Sequence, residues 1–411
     1  MIKYPLATVV EGQTKIIVPD VEKYRTSPAS FPESDAPVFY NKKMEINRDF
    51  ALALLRVYLT KREEAKEILY FEPMAGSGIR SLRVAYELPN LTVLMNDRNP
   101  HAVKLIKENV KQLKLKKRTE VYEDDANELM LRFGSSGRKI DIIDIDPFGS
   151  PSPFMDAAAH AIRKDGLLAV TSTDMATMCG VYPAACVRKY ASKPIHSFIS
   201  HELAVRMMIG FTVIALARHG KSTRPVFGHS TAHFIRAYLI AEKGITKAKK
   251  VMNELGFVAH CTFCFNLEIA KGIVNSLVKQ CPNCGQTRQI GGPIWLGKLY
   301  DKEYVDDLET ELAENADKYG TVKKMQKLVS LVKEELKAEL ASEKNHFYYD
   351  LHQIADKLNL PSPKMTTVIE LLQNQKFIAF RTHYRTNSVK TDASIKEVVA
   401  AMKEANKINN L

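Results

Sequence analysis

Apolar residues recur along this chain in two periods, and each change of period marks a change of element. Ile140-Asp141-Ile142-Ile143-Asp144-Ile145 is an alternating β-branched run. It predicts a buried strand, stopped by Asp146-Pro147-Phe148-Gly149. Similar runs predict strands at 68–71, 91–96, around 120–122 and at 166–173, with further strands near 211–217 and 233–241. Between them, apolar residues spaced three and four apart predict helices. One starts at about Glu45 with Phe50, Leu54, Leu55 and Tyr58 on its apolar face. A second, opened by Asn99-Pro100, buries Val103, Ile106 and Val110, and a third covers 153–162. Alternating β and α units predict a mostly parallel, Rossmann-like α/β sheet that binds a nucleoside at its carboxyl edge. The first twenty residues read as a hairpin or a short edge strand, and 27–37, rich in Pro and Ser, as an irregular loop.

The last third has another rhythm. Residues 304–341 are helical and rich in Lys and Glu, with Leu308, Leu312, Val322, Met325, Leu328, Leu331, Val332 and Leu336 as buried positions; they connect or brace domains. A short helix at 350–358, a turn at 359–363, a second helix at 364–373 and an alternating strand at 377–385 follow the winged-helix order. Such modules read nucleic acid or pack only on their own protein, and Arg381, His383 and Arg385 favour RNA contact. The expected division is a catalytic domain over 1–240 and a smaller α+β domain over 241–411, winged-helix-like over 345–390.

Composition narrows the class. With 411 residues, 45% hydrophobic and 26% charged, the chain suits two or three soluble domains. No stretch reads as a membrane span or a secretory signal, so the expectation is a cytoplasmic protein with no membrane partner. A net charge of +12 favours a polyanionic partner. Between Val181 and Ile240 the bases Arg188, Lys189, Lys193, Arg206, Arg218, Lys221, Arg224 and Arg236 face one acid, Glu202, which points to phosphate contact.

Candidate chemistry sits at the strand ends. Glu72-Pro73-Met74-Ala75-Gly76-Ser77-Gly78-Ile79-Arg80 is a strand, a glycine turn and a helix start, where backbone can approach a ligand and free amides can face it. Ser81 stands where a dinucleotide-binding fingerprint has its third glycine, so that motif is incomplete. Asp97, at the end of the next strand, is placed to hold ribose hydroxyls. Asp125 can accept an adenine amino group, with the small Ala126 leaving the ring room. Asp146 followed by Pro147 and Phe148 suits transfer to an exocyclic base nitrogen, a poor nucleophile whose lone pair is delocalised. A carboxylate accepting its N–H orients it, rigid Pro147 carries a carbonyl beside it, and Phe148 offers a stacking face.

Four of the six cysteines form Cys261-x-x-Cys264 and Cys281-x-x-Cys284. This spacing predicts zinc, in a closed structural site because four thiolates leave no position for water. Disulfides are the alternative, against which a reducing cytoplasm argues.

Together, Phe39-Tyr40-Asn41 through Asn47-Arg48-Asp49, the Glu72–Arg80 motif, Asn96-Asp97, Asp125-Ala126 and Asp146-Pro147-Phe148-Gly149-Ser150-Pro151 resemble the tRNA (guanine(26)-N(2))-dimethyltransferase family. Lys42 replaces the proline that members usually carry after Tyr-Asn. The resemblance implies a class I methyltransferase fold and two successive transfers from S-adenosylmethionine to the 2-amino group of a tRNA guanosine. It places Arg48 and Arg80 at the methionine end of the cofactor, with Glu72, Gly76 and Gly78 in its motif. Asp97 would hold the ribose, Asp125-Ala126 the adenine, and Asp146, Pro147 and Phe148 the target base. No obligate protein partner is inferred. The rival readings are methylation of exocyclic amines on other bases in DNA or RNA, and a zinc-bearing RNA-binding protein with a relic cofactor fold.

Overall fold

The computed structural model describes residues 2–27, 32–62, 67–274, 276–342 and 347–409. An antiparallel hairpin, β1 (Leu6–Glu11) and β2 (Thr14–Pro19), opens the chain. Of the loop expected over 27–37, residues 28–31 lie outside the described residues, and Pro32–Asp35 is a single helical turn.

Seven strands form the central sheet: β3 (Ile68–Glu72), β4 (Leu91–Asn96), β5 (Thr119–Tyr122), β6 (Ile140–Ile145), β7 (Ile162–Ser172), β8 (Lys221–Thr231) and β9 (Phe234–Lys243). Their order is β5-β4-β3-β6-β7-β9-β8; the first five run parallel, and β9 is antiparallel to both neighbours. Chain direction across the sheet reverses between β3 and β6, the crevice where open α/β sheets take ligands. The central strands are buried on both faces, and every residue of β6 is buried, the acids Asp141 and Asp144 included.

The strand expected near 211–217 is instead part of the helix Ser200–Arg218. Its face period is weak because it is apolar nearly all round, as a helix enclosed on every side must be. It is also long and apolar enough to cross a membrane, which the sequence reading overlooked, but 78% of that stretch is buried inside the protein. At Gly210 an added Cβ would stand 3.0 Å from the Trp295 backbone nitrogen, so the missing side chain lets the next module sit close. The strand that replaces the expected one is β8, which forms a hairpin with β9.

Beyond the sheet, β10 (Leu255–His260), β11 (Leu267–Lys271) and β12 (Gln289–Trp295) make a small antiparallel sheet bearing the cysteines. The helices Lys302–Glu314 and Val322–Ala341 then return to brace the helix Glu45–Thr60. Asp49 fixes that return: its Oδ2 accepts from the Thr321 amide at 2.9 Å, while Oδ1 takes Arg83 at 2.7 Å.

The winged-helix order is present as β13 (Tyr348–Asp350), helices Leu351–Leu358 and Met365–Asn374, β14 (Ala379–Arg381) and β15 (Ser388–Thr391); of the span expected for this unit, 345 and 346 are outside the described residues. The alternation over 377–385 becomes strand for only three residues. Beyond them His383 turns inward, donating through its amide at 2.6 Å and through Nδ1 at 2.7 Å to Glu335 Oε1.

Candidate active site and metal centre

The turn Asp146–Gly149 leaves the carboxyl end of β6 beside the glycine turn that leaves β3. Three hydrogen bonds hold it to the end of β7: the Gly149 amide donates to Thr173 Oγ1 at 2.9 Å, and the Gly149 carbonyl accepts from the Thr173 amide at 3.0 Å and from Ser172 Oγ at 3.3 Å. Gly149 has φ +90°, a conformation that favours glycine.

Behind the turn lies a buried charge cluster that the sequence did not announce. Arg80 donates to Asp144 Oδ1 at 2.6 Å, to Asn47 Oδ1 at 2.9 Å and to Asp146 Oδ2, and its Nε lies 3.5 Å from Glu72. Arg236, wholly buried in β9, grips both Asp144 oxygens at 3.0 and 2.6 Å and donates to Tyr238 at 2.7 Å. Burial opposes ionisation of Asp144, but Arg236 and Arg80 outweigh it and hold the carboxyl below its ordinary range. For Glu72 burial wins over Arg80 and pushes the carboxyl up to about 7. Two guanidiniums thus face three acids, of which Glu72 titrates near neutrality. Asp146 keeps Oδ1 outside these bonds and is only partly buried, so one oxygen is braced and the other can take a substrate proton donor.

Phe148 is 83% exposed at the tip of the turn, a costly place for an aromatic ring without a ligand. Across from it stands Phe39, also exposed, with ring centroids 6.1 Å apart and planes at 70°. Phe39 was legible in the sequence only as part of a motif; its place opposite Phe148 depends on the fold.

The expected cofactor residues line the same sheet edge. Gly76, at φ +53°, donates its amide to Asp97 Oδ2 at 2.7 Å, and Asp97 Oδ1 accepts from Asn99 at 2.9 Å. Gly78, at φ +76°, caps the helix that begins at Ile79, and an added Cβ there would collide with Ile106 Cγ1 at 2.7 Å. Asp125 caps the helix that Ala126 opens, through one oxygen alone, leaving Oδ2 outward. Arg48 is buried and holds Glu11 through two bonds of 2.6 Å, while Arg80 faces inward to the charge cluster. Asn47 Nδ2 is buried without a partner, a donor open to an anionic group of a ligand.

The four cysteine sulfurs lie within 4.8 Å of one another, with Cys261–Cys284 and Cys264–Cys281 both at 3.6 Å. Thiolates about 2.3 Å from a tetrahedral ion are roughly 3.8 Å apart, so the donor set fits a closed metal site. Tight turns close both knuckles, Phe265 donating to the Cys261 carbonyl at 2.7 Å and Gly285 to that of Cys281 at 2.8 Å.

Most of the bases expected to meet phosphate have partners within the chain. Arg206 and Arg236 are buried, Lys189 holds Asp174 at 2.6 Å, Arg218 holds Asp156 at 3.0 Å, Arg224 pairs with Asp301, and Lys221 donates to two carbonyls at 2.6 Å. Arg188 and Lys193 stay exposed. In the winged unit Arg381 pairs with Glu334 and His383 with Glu335, which ties the module to the bracing helix, while Arg385 pairs with Asp350 inside the unit and stays partly exposed. Several of these partners, Asp156, Asp174 and Asp301, lie outside 181–240, where a count of acids in that stretch cannot find them.

A seven-stranded sheet of this order, with carboxylates at successive strand ends, is that of a class I methyltransferase. The family profile described as N2,N2-dimethylguanosine tRNA methyltransferase matches residues 12–403, and the chain belongs to that family. It is 35% identical over 410 residues, covering 100% of both chains, to the tRNA (guanine(26)-N(2))-dimethyltransferase of Methanobrevibacter smithii. The tRNA (guanine(26)-N(2)/guanine(27)-N(2))-dimethyltransferase of Aquifex aeolicus is 31% identical over 96% of this chain and 95% of its own. Trm1 from Pyrococcus horikoshii, solved with S-adenosyl-L-methionine, superposes with a TM-score of 0.82 at 28% identity, over 97% of this chain and 100% of that one.

Proposed function

We propose that this chain transfers one and then a second methyl from S-adenosylmethionine to the 2-amino group of guanosine 26 in tRNA. The observation that carries the reading is the braced turn, with Asp146 held by Arg80 on one oxygen and Phe148 bare beside it. When bound, S-adenosylmethionine supplies an already activated methyl, so the protein's task is alignment. Asp97 takes the ribose, Asp125 Oδ2 the adenine amine beside Ala126, and the amides around Gly76 and Gly78 the backbone approach. Arg48 and Asn47 border the methionine end, while Arg80 acts through Asp146.

The guanine is everted from folded RNA at a cost of about a few kcal/mol. It stacks on the exposed face of Phe148, with its amine donating to Asp146 Oδ1 and the Pro147 carbonyl. That geometry turns the nitrogen lone pair towards the methyl, and Asp146 or water removes the proton left after transfer. Residues 1–240 carry this chemistry, and 241–411, with zinc held by Cys261, Cys264, Cys281 and Cys284, help to hold the tRNA. The test is mass spectrometry of nucleosides from an unmodified tRNA transcript after incubation with enzyme and cofactor. N2-methylguanosine followed by N2,N2-dimethylguanosine is expected. Methylated adenine or cytosine in its place, or transfer to duplex DNA alone, would replace this reading. Binding of tRNA without formation of S-adenosylhomocysteine would reduce the protein to an RNA-binding module.

A further inference from the structure

A cavity of about 400 Å³ opens where the methyltransferase domain, the cysteine module and the winged unit meet. Its apolar walls include Phe198 and Phe265, whose rings are 5.9 Å apart, and His260 stands edge-on to Phe198 at 5.0 Å. His260 is 1% exposed, and both its ring nitrogens are without a hydrogen-bond partner, as is Ser197 Oγ on the same wall. Two idle nitrogens on one buried ring cost more than a satisfied or apolar replacement would, so a ligand in the cavity is the economical explanation.

The donors and acceptors specify its chemistry. The two unpartnered ring nitrogens of His260 offer hydrogen-bonding sites on both sides of one flat ring, which complements the edge of a nucleobase. At the rim His196 Nδ1 donates to the Cys179 carbonyl at 3.0 Å, leaving Nε2 as an acceptor for a sugar hydroxyl. Arg385 is tied to Asp350 through Nε alone, and 40% of its side chain is exposed, so its remaining nitrogens can meet a phosphate. One link runs from the cavity towards the target site: His196 holds the Cys179 carbonyl, and Cys179 is six residues past Thr173, which holds Gly149 of the catalytic turn.

We propose that this cavity takes a second, unstacked nucleotide of the substrate tRNA, its base against His260 and Phe198 and its phosphate on Arg385. This rests on the tRNA reading above and deepens it. Five of the ten lining residues come from outside the sheet domain, so the cavity makes tRNA engagement depend on the docked C-terminal modules.

The test uses the full chain with three variants. His260→Phe keeps ring size and removes the idle nitrogens, Thr262→Trp plugs the mouth from the exposed first knuckle, and Arg385→Gln removes the phosphate partner. Unmodified tRNA transcript is the substrate, and thermal melting reports folding. The expected result is a KM for tRNA raised about tenfold in His260→Phe and Thr262→Trp, less in Arg385→Gln, with kcat within twofold and the melting temperature of His260→Phe unchanged or higher. Unchanged KM in folded His260→Phe and Thr262→Trp overturns the proposal. If the wild-type enzyme yields no methylguanosine, the functional reading fails by itself, and the same variants are then compared by direct tRNA binding. Adenosine monophosphate and inorganic phosphate serve as competitors at millimolar concentration. Competition by the nucleotide and not by phosphate is expected; a nucleotide that binds without competing with tRNA assigns the cavity to a free small molecule and overturns the claim.

Discussion

Replacing Asp146 by Ala separates the two tasks of this carboxylate, bracing and catalysis. Its bracing role is small. Arg80 retains Asp144 at 2.6 Å and Asn47 at 2.9 Å, and with the 146 side chain 14% exposed water can reach the vacated nitrogen. Loss of one such charge-assisted bond costs about 2 kcal/mol. The substitution also lowers the excess of carboxylates over guanidiniums in the cluster, which offsets part of that cost. The catalytic role is large, because no other acid is set at the turn to accept the guanine amine. Removing one preorganised electrostatic partner of a reacting group costs about 10²–10³ in rate, roughly 3–4 kcal/mol. Single-turnover methyl transfer at saturating tRNA should therefore fall by about that factor, with cofactor affinity near wild type and only a modest drop in melting temperature. Asp146→Asn, which keeps a carbonyl oxygen but turns an amide towards Arg80, should lie between. A single-turnover rate for Asp146→Ala within threefold of wild type would refute the assignment of the turn; so would a collapse of stability matching the loss of rate, since Asp146 would then be a structural acid.

Phe148→Ala should leave stability unchanged, since the ring is 83% exposed, while weakening productive tRNA binding by about 1–3 kcal/mol in KM; a normal KM would remove the stacking role. Cys281→Ser should lower bound zinc by elemental analysis and destabilise the module, and full zinc content would contradict the site. Two buried glutamates on the bracing helix should give opposite pH responses. Burial opposes ionisation of Glu335, but His383 and Lys390 outweigh it and lower the carboxyl to about 2, so its contribution is present above the unfolded value and lost as pH falls through that range. Burial raises Glu339 to about 7 against Lys390 and Arg206, so its contribution is present in acid and lost as pH rises through neutrality. Denaturant melts should thus show Glu335→Gln least stable relative to wild type above pH 5, and Glu339→Gln gaining on wild type between pH 5 and 8; parallel curves would reject both.

Much of this protein was settled locally. The glycine turn after β3, the acids at the ends of β4 and β6, the Asp-Pro-Phe-Gly stop and the paired cysteines were all legible, because each rests on backbone conformation or on spacing within a few residues. Periodicity failed at Ser200–Arg218, where burial on all sides erased the polar face that marks a helix. Charge counting missed distant partners in the basic stretch and the winged unit for a related reason. Lys390 meets Glu202 at 2.8 Å across 188 positions, and Arg236 meets Asp144 across 92. Attraction between opposite charges does not record chain distance, so only the fold decides which bases are free for RNA. The Arg80–Asp144–Arg236 brace, the facing of Phe39 and Phe148, and the cavity around His260 belong to that second class. Each is made by elements whose meeting no local pattern encodes, and each exists only once the sheet and its C-terminal modules have closed.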